Sequence, residues 1–248
     1  MERRFDQQLD DLKQDLLKMG GAVEESIAQA VRSLVERDDE LVKEVIAGGK
    51  KIDDWEITIE ETCLRLLATQ GPVASDLRLL ACMMKVNDDL ERINDQAVNI
   101  AQRAEVLNTM PLLKPLIDIP RMSELAQGMV KDALDAFVRR DVDLARDVGR
   151  RDEDLDLLRD QIFRELLTYM HAPSPGPDTI DRGIYLILVS RHLERVGDHA
   201  SNIAENVAYL AEGSIVRHQK EEWWEGGKAQ GAEPVEGDGE SSAQVSGE

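Results

Sequence analysis

Apolar residues recur at intervals of three and four from Phe5 through Leu9, Leu12, Leu16, Met19, Val23, Ile27, Ala30 and Leu34. That spacing places them on one face of a helix and predicts a long amphipathic helix over residues 5–35. Asp38 and Asp39 are candidate N-caps for a second helix reaching Thr69, where Gly71-Pro72 stops it; Gly48-Gly49 is its weak point. A third helix runs through Ala104. Pro111, Pro115 and Pro120 remove backbone donors within ten residues, which marks a connection. The pattern then restarts, with helices over residues 119–139, 142–170 and 178–211 and a Pro-rich loop at 172–177. The fold expected is all-α, two tandem pseudo-symmetric three-helix bundles of spectrin-repeat-like helices: residues 1–108, a connection at 109–120, and residues 121–215. From 216 to 248 the chain is rich in Gly, Glu and Ser, and a disordered acidic tail is the expectation.

Shifting the sequence by 103 residues places Met19 on Met122, Asp38 on Asp141, Leu41 on Leu144, Asp53 on Asp156 and Pro72 on Pro175 without a gap. It also superimposes Leu90-Glu91-Arg92 on Leu193-Glu194-Arg195, Asp95 on Asp198, and Asn99-Ile100-Ala101 on Asn202-Ile203-Ala204. Apolar heptads align by chance, but a loop proline and a run of polar residues do not, so the chain is read as an internal duplication.

At about 100° per residue, Asp95, Asp88 and Asn99 fall within about 80° of Glu91, opposite the face of Val86, Leu90, Ile93, Ala97 and Ile100. The second copy repeats the stripe with Glu194, Asp198, Asn202 and Glu205. Carboxylates at i and i+4 repel by a few tenths of a kcal/mol, so pairs kept in both copies call for a cation, either an arginine or a metal. Glu91, Asp95, Glu194 and Asp198 are the metal-ligand candidates, flanked by Asp88, Asn99, Asn202, Glu205, Asp53 and Asp156. Oxygen-only donors suit hard or intermediate ions, among them iron, manganese and magnesium. For Asp53 and Asp156 a favourable charge toward the helix N-terminus is the competing reading. His171, His192, His199 and His218 show no ligand spacing, although His199, next to Asp198, could assist the second site.

Aromatic residues make up 4% of the chain against 42% hydrophobic, which favours packed helices over sheets. The net charge of −20, only part of it in the tail, argues against nucleic acid. Cys63 and Cys82 are isolated in apolar contexts, which suits a reducing cytoplasm. No apolar run is long enough for a membrane span, and the first residues lack a signal-peptide core. No Glu-x-x-His, P-loop, Gly-x-Ser-x-Gly or Cys-x-x-Cys is present, so an enzyme is not expected.

The residues Leu90 to Ala101 and Leu193 to Ala204, with Ser75-Asp76-Leu77-Arg78 and Ile162 to Leu167, resemble the PhoU family of phosphate-signalling regulators over the chain to about residue 215. The resemblance implies two three-helix bundles and multinuclear iron or zinc clusters at Glu91/Asp95 and Glu194/Asp198, with manganese or magnesium as lesser candidates. It further implies a cytoplasmic negative regulator that couples the ATPase subunit of a phosphate ABC transporter to a sensor histidine kinase; a homodimer is also expected. The alternative is a metal-free helical adaptor that docks basic partner surfaces on its acidic stripes. Asn94 stands where the family often has Gly.

Overall fold

The structure, a computed structural model, describes residues 2–173, 176–213, 216 and 223–227. Its six helices are α1 (Glu2–Glu36), α2 (Asp39–Gln70), α3 (Ala74–Leu107), α4 (Asp118–Arg139), α5 (Val142–Met170) and α6 (Thr179–Glu212), and no strand occurs among the described residues. The bounds lie within a few residues of those read from periodicity.

The α1/α2 and α4/α5 turns are built alike from an Arg-Asp pair. Arg37 and Arg140 take positive φ (58° and 54°), ending each first helix in the left-handed region. Asp38 and Asp141 follow as N-caps. Asp38 accepts from the amides of Glu40 and Leu41, and Asp141 from those of Asp143 and Leu144. The amides of Asp38 and Asp141 reach back to the carbonyls of Ser33 (3.0 Å) and Ala136 (2.9 Å), the six-to-one bond that closes a helix C-terminus. Of the two cap candidates, Asp38 is therefore the one used.

α1, α2 and α3 pack on one another, as do α4, α5 and α6. α3 also packs on α6 and α1 on α4, so both sets of three share one apolar core. Met19 and Met122, repeat partners, are both completely buried in it. Gly20 lets α1 and α4 approach, since a Cβ there would stand 2.3 Å from Leu134 Cδ1. Gly49 is no break in α2 but the point where α3 comes close, its would-be Cβ 3.1 Å from Val98 Cγ2 and 3.7 Å from the amide nitrogen of buried Asn94. At the matching pair of the second repeat the small residue has changed helices: Asp152 stands on α5 and Gly197 on α6, where a Cβ would meet Leu155 Cδ2 at 2.3 Å.

The Pro-rich connection is tied down. Lys114 is buried and pairs with Asp118 (3.1 Å) and with Glu165 of α5. Arg182 of α6 donates to the carbonyls of Pro111 (3.0 Å) and Pro177 (2.9 Å). Pro120 lies within the first turn of α4, where a missing amide costs nothing.

The tail departs from the expectation of disorder at the residues described. Val216, Trp223 and Trp224 join the core, and Trp224 occupies the space over Gly149 of α5, where a Cβ would come within 2.2 Å of its ring. Arg146 lies over the Trp223 ring and donates to its carbonyl at 3.2 Å, and Arg150 donates to the Trp224 carbonyl at 3.0 Å. Two indoles outweigh the polar composition that surrounds them in sequence. Residues 217–222 and 228–248 of the expected tail lie outside the described residues.

Candidate functional site

The first stripe is assembled by two helices. α3 carries Asp88, Glu91 and Asp95, and α2 brings Asp53 and Glu56 within electrostatic reach of them. Burial raises the Glu91 carboxyl above its ordinary range, and the charges of Asp95, Asp53, Asp88 and Glu56 raise it further. Asp95 is raised by burial and by Asp53. Glu56 is raised by burial, Glu60, Asp88 and Asp53. On this stripe Arg92, exposed, lies 3.3 Å from Asp88.

Asp53 stands in the middle of α2, well past its first turn, so the competing reading as a helix N-terminal charge does not apply to it; Asp156 likewise sits mid-helix in α5.

The second stripe differs in its electrostatics. Arg159 of α5 reaches Glu194 Oε1 at 2.5 Å, Asp156 Oδ1 at 2.8 Å and Asp160 Oδ1 at 3.0 Å. Burial raises Glu194, as do Asp198 and Asp156, while the charge and hydrogen bond of Arg159 pull it down; burial prevails. Glu205, read from sequence as part of this exposed stripe, is buried instead, because α6 packs against α3, α4 and α5 and exposes less of its circumference than one amphipathic face implies. Asn99 and Asn202 are partly buried, and Asn202 donates toward Asp89 Oδ1 at 3.4 Å.

Between α3 and α6 the repeats meet reciprocally. His199 Nδ1 lies 2.9 Å from Asp89 Oδ1, and His192 Nδ1 lies 2.9 Å from Gln96 Oε1. Positions 89 and 192 are repeat partners, as are 96 and 199, so one contact is made twice across a pseudo-two-fold. His199 is thus engaged with Asp89 at the interface rather than free on the surface. Burial lowers His192 to about 4, assisted by Arg103, Arg195 and Arg191. Beside these pairs an open groove of about 590 Å³ is lined by Arg92, Gln96, Arg195, Asp198, His199 and Asn202. His171 Nδ1 lies 2.8 Å from its own helix at the Leu167 carbonyl, and His218 lies outside the described residues.

Among the described residues, no group of three or more His, Cys, Asp or Glu side chains is arranged to hold a metal ion. The donor chemistry of the first stripe nonetheless suits a hard or intermediate cation: carboxylates only, Glu91 and Asp95 raised by burial and then by neighbouring carboxylates. The second stripe has a guanidinium at its centre. Sequence reasoning missed Glu56, Arg159 and Asp89. The 103-residue shift did hold a signal for two of them, since it superimposes Glu56 on Arg159, a reversal of charge.

A model of the PhoU domain matches residues 16–104 and again 119–207, two copies separated by the same 103 residues. The chain belongs to the PhoU family. It is 40% identical to the phosphate-specific transport system accessory protein PhoU homolog of Pseudomonas putida over 88% of this chain and 84% of the relative. With the PhoU homolog of Aquifex aeolicus identity is 42% over 86% of this chain and 95% of that one. The crystal structure of PhoU from Pseudomonas aeruginosa superimposes with a TM-score of 0.80 at 40% identity, covering 85% of this chain and all of that one. The phosphate transport system regulatory protein PhoU from Streptococcus pneumoniae gives 0.79 at 31% identity, over 86% and 99% of the two chains. The all-α duplicated architecture is that of the PhoU family.

Proposed function

We propose that this chain is an accessory protein of a phosphate-specific transport system and acts as a negative regulator, restraining uptake and the starvation response when phosphate is plentiful. The observation that carries the reading is the family match across both repeats, together with relatives named as phosphate-specific transport system accessory proteins at 40% and 42% identity over 84% and 95% of their lengths. The partners are the ATPase subunit of the transporter and the sensor histidine kinase of the response, and the setting is the cytoplasm. No helix among the described residues is long and apolar enough to cross a membrane. The role is one of docking, with no catalytic step.

Two acidic stripes on a chain of net charge −20 fit basic partner surfaces, where charge complementarity sets association rate and specificity. The first stripe also fits an iron or zinc ion, held by Glu91 and Asp95 with Asp53, Glu56 and Asp88 nearby. Such an ion would supply the positive charge that these raised carboxyls lack. The metal-free adaptor remains the second reading, favoured by the absence of three converging ligands among the described residues.

The test has two arms. A strain lacking its own PhoU protein, carrying this chain, should repress a phosphate-starvation reporter in high phosphate, and the Glu91/Asp95/Glu194/Asp198 quadruple Ala variant should not. Elemental analysis of untagged protein separates the readings, since an adaptor using bare carboxylates purifies without stoichiometric metal and binds its partners in a salt-sensitive manner. A folded quadruple variant that still represses fully sinks the regulatory role of the stripes.

A further inference from the structure

The two acidic motifs are similar as sequence and different as chemistry. Superimposing the repeats puts Arg159 where the first copy has Glu56 and Arg191 where it has Asp88. The first reversal has a direct geometric result. A single guanidinium nitrogen, Arg159 Nη1, is shared by Asp156 of its own helix at 2.8 Å and Glu194 of α6 at 2.5 Å, while Nη2 and Nε bind Asp160. Arg159 thereby occupies the place between α5 and α6 that an ion bridging Asp156 and Glu194 would need. The first copy has no such residue: the matching Glu56 adds a carboxylate to those of Asp53, Asp88, Glu91 and Asp95 in place of a counter-charge.

We infer that Arg159 is the built-in counter-cation of the second motif and closes it to metal. The inference rests on the cation-binding reading given above for the first motif, but the closure stands on the geometry of Arg159 itself. Burial works against the Arg159 charge, yet the hydrogen bond to Asp160 and the charges of Asp156 and Glu194 outweigh it and hold the guanidinium above its ordinary value. An arginine does not titrate away at any physiological pH, so the counter-charge at the second motif is permanent, whereas a metal-loaded motif responds to metal supply.

The experiment is Zn²⁺ binding by equilibrium dialysis with elemental analysis, on full-length protein stripped with chelator, with circular dichroism confirming helix content. Glu194→Ala/Asp198→Ala should leave the Zn²⁺ content of the wild-type chain unchanged, and Glu91→Ala/Asp95→Ala should abolish it. Arg159→Glu, which installs the residue of the first repeat, should gain Zn²⁺ that is lost again on adding Glu194→Ala/Asp198→Ala. Arg159→Gln serves the same purpose if the extra carboxylate unfolds the chain. The reciprocal Glu56→Arg should weaken Zn²⁺ binding at least tenfold. Wild-type Zn²⁺ that disappears with Glu194→Ala/Asp198→Ala overturns the inference, as does a folded Arg159 variant that gains none. If the wild type binds no Zn²⁺ and Arg159→Glu does, the closure holds and it is the metal reading of the first motif that fails.

Discussion

His199 of α6 stands 2.9 Å from Asp89 of α3, and the same two repeat positions, read in the opposite direction, place His192 2.9 Å from Gln96. The duplicated interface is therefore symmetric in position and asymmetric in chemistry: one histidine meets a carboxylate and the other a neutral amide. Asp89 is mostly buried and accepts from both His199 and Asn202. Removing it with Asp89→Ala leaves two donors without their acceptor and should lower the unfolding free energy by about 2 kcal/mol. Urea denaturation measures it, and a loss below about 0.5 kcal/mol shows the pair to be incidental.

His192 carries the pH dependence of the interface. Gln96 Nε2 donates to the Arg92 carbonyl, which orients its Oε1 toward His192 and keeps a proton on Nδ1. With the folded value lowered to about 4 against about 6.5 unfolded, the unfolded chain binds the proton first as pH falls. The contribution of the neutral ring is thus complete above pH 6.5 and lost as pH drops toward 4. Screening at this partly exposed site limits it to about 1 to 2 kcal/mol. His192→Gln should flatten this acid limb in denaturation curves taken between pH 4 and 7; an unchanged slope contradicts the assignment.

The paired turns give opposite expectations for one substitution. Arg140 takes a left-handed conformation at the end of α4, and glycine there removes a strain of about 1 kcal/mol. Arg37 is equally left-handed, but its guanidinium donates to the carbonyls of Asn108 (2.5 Å) and Met110 (2.6 Å), tying the turn to the end of α3. Arg140→Gly should therefore raise the melting temperature slightly and Arg37→Gly lower it. Equal effects at the two sites would deny Arg37 its tethering role.

Truncating Trp223 should be costly for a residue so near the end of the chain. It is 1% exposed, and large aromatic deletions from a core cost about 3 to 5 kcal/mol. Gly149→Val attacks the neighbouring indole instead, because the added atoms would lie where the Trp224 ring is. Both variants should lower the thermal midpoint and make the tail sensitive to limited proteolysis; a tail cut no faster than in wild type counts against docking.

Both cysteines should be silent in the native state. Burial raises Cys63 to about 12 and Cys82 to about 11, so almost no thiolate forms at neutral pH. Alkylation with a thiol reagent should proceed only as fast as the protein opens, and rapid labelling of folded protein would contradict this burial.

How much could be read in advance depended on how many sides an element buries. α1 shows its core face as a clean three-and-four spacing, and Leu9 through Leu34 are all buried as that spacing requires. α3 packs against α1, α2 and α6, and α6 against three neighbours. On such helices a polar residue off the main apolar stripe still meets another helix, which is why Asp89 and Glu205 are buried although a two-sided picture exposes them. The repeat made Glu91, Asp95, Glu194 and Asp198 visible as residues kept in both copies. Attention to what was kept concealed Arg159, whose importance lies in what changed. Trp223 was hidden by its neighbours, since composition averages over a segment and two indoles are enough to anchor one.

The three tryptophans divide unevenly over these features. Trp55 sits on α2 between Asp53 and Glu56, with Lys51 Nζ 4.7 Å from its ring centroid, while Trp223 and Trp224 stack edge to face at 4.9 Å in the tail. The intrinsic fluorescence of this chain is therefore a mixed signal, from two indoles in the tail and one on α2. Ending the chain before Trp223 would leave a single emitter beside the first acidic stripe, and a spectroscopic titration of that site would need no added dye.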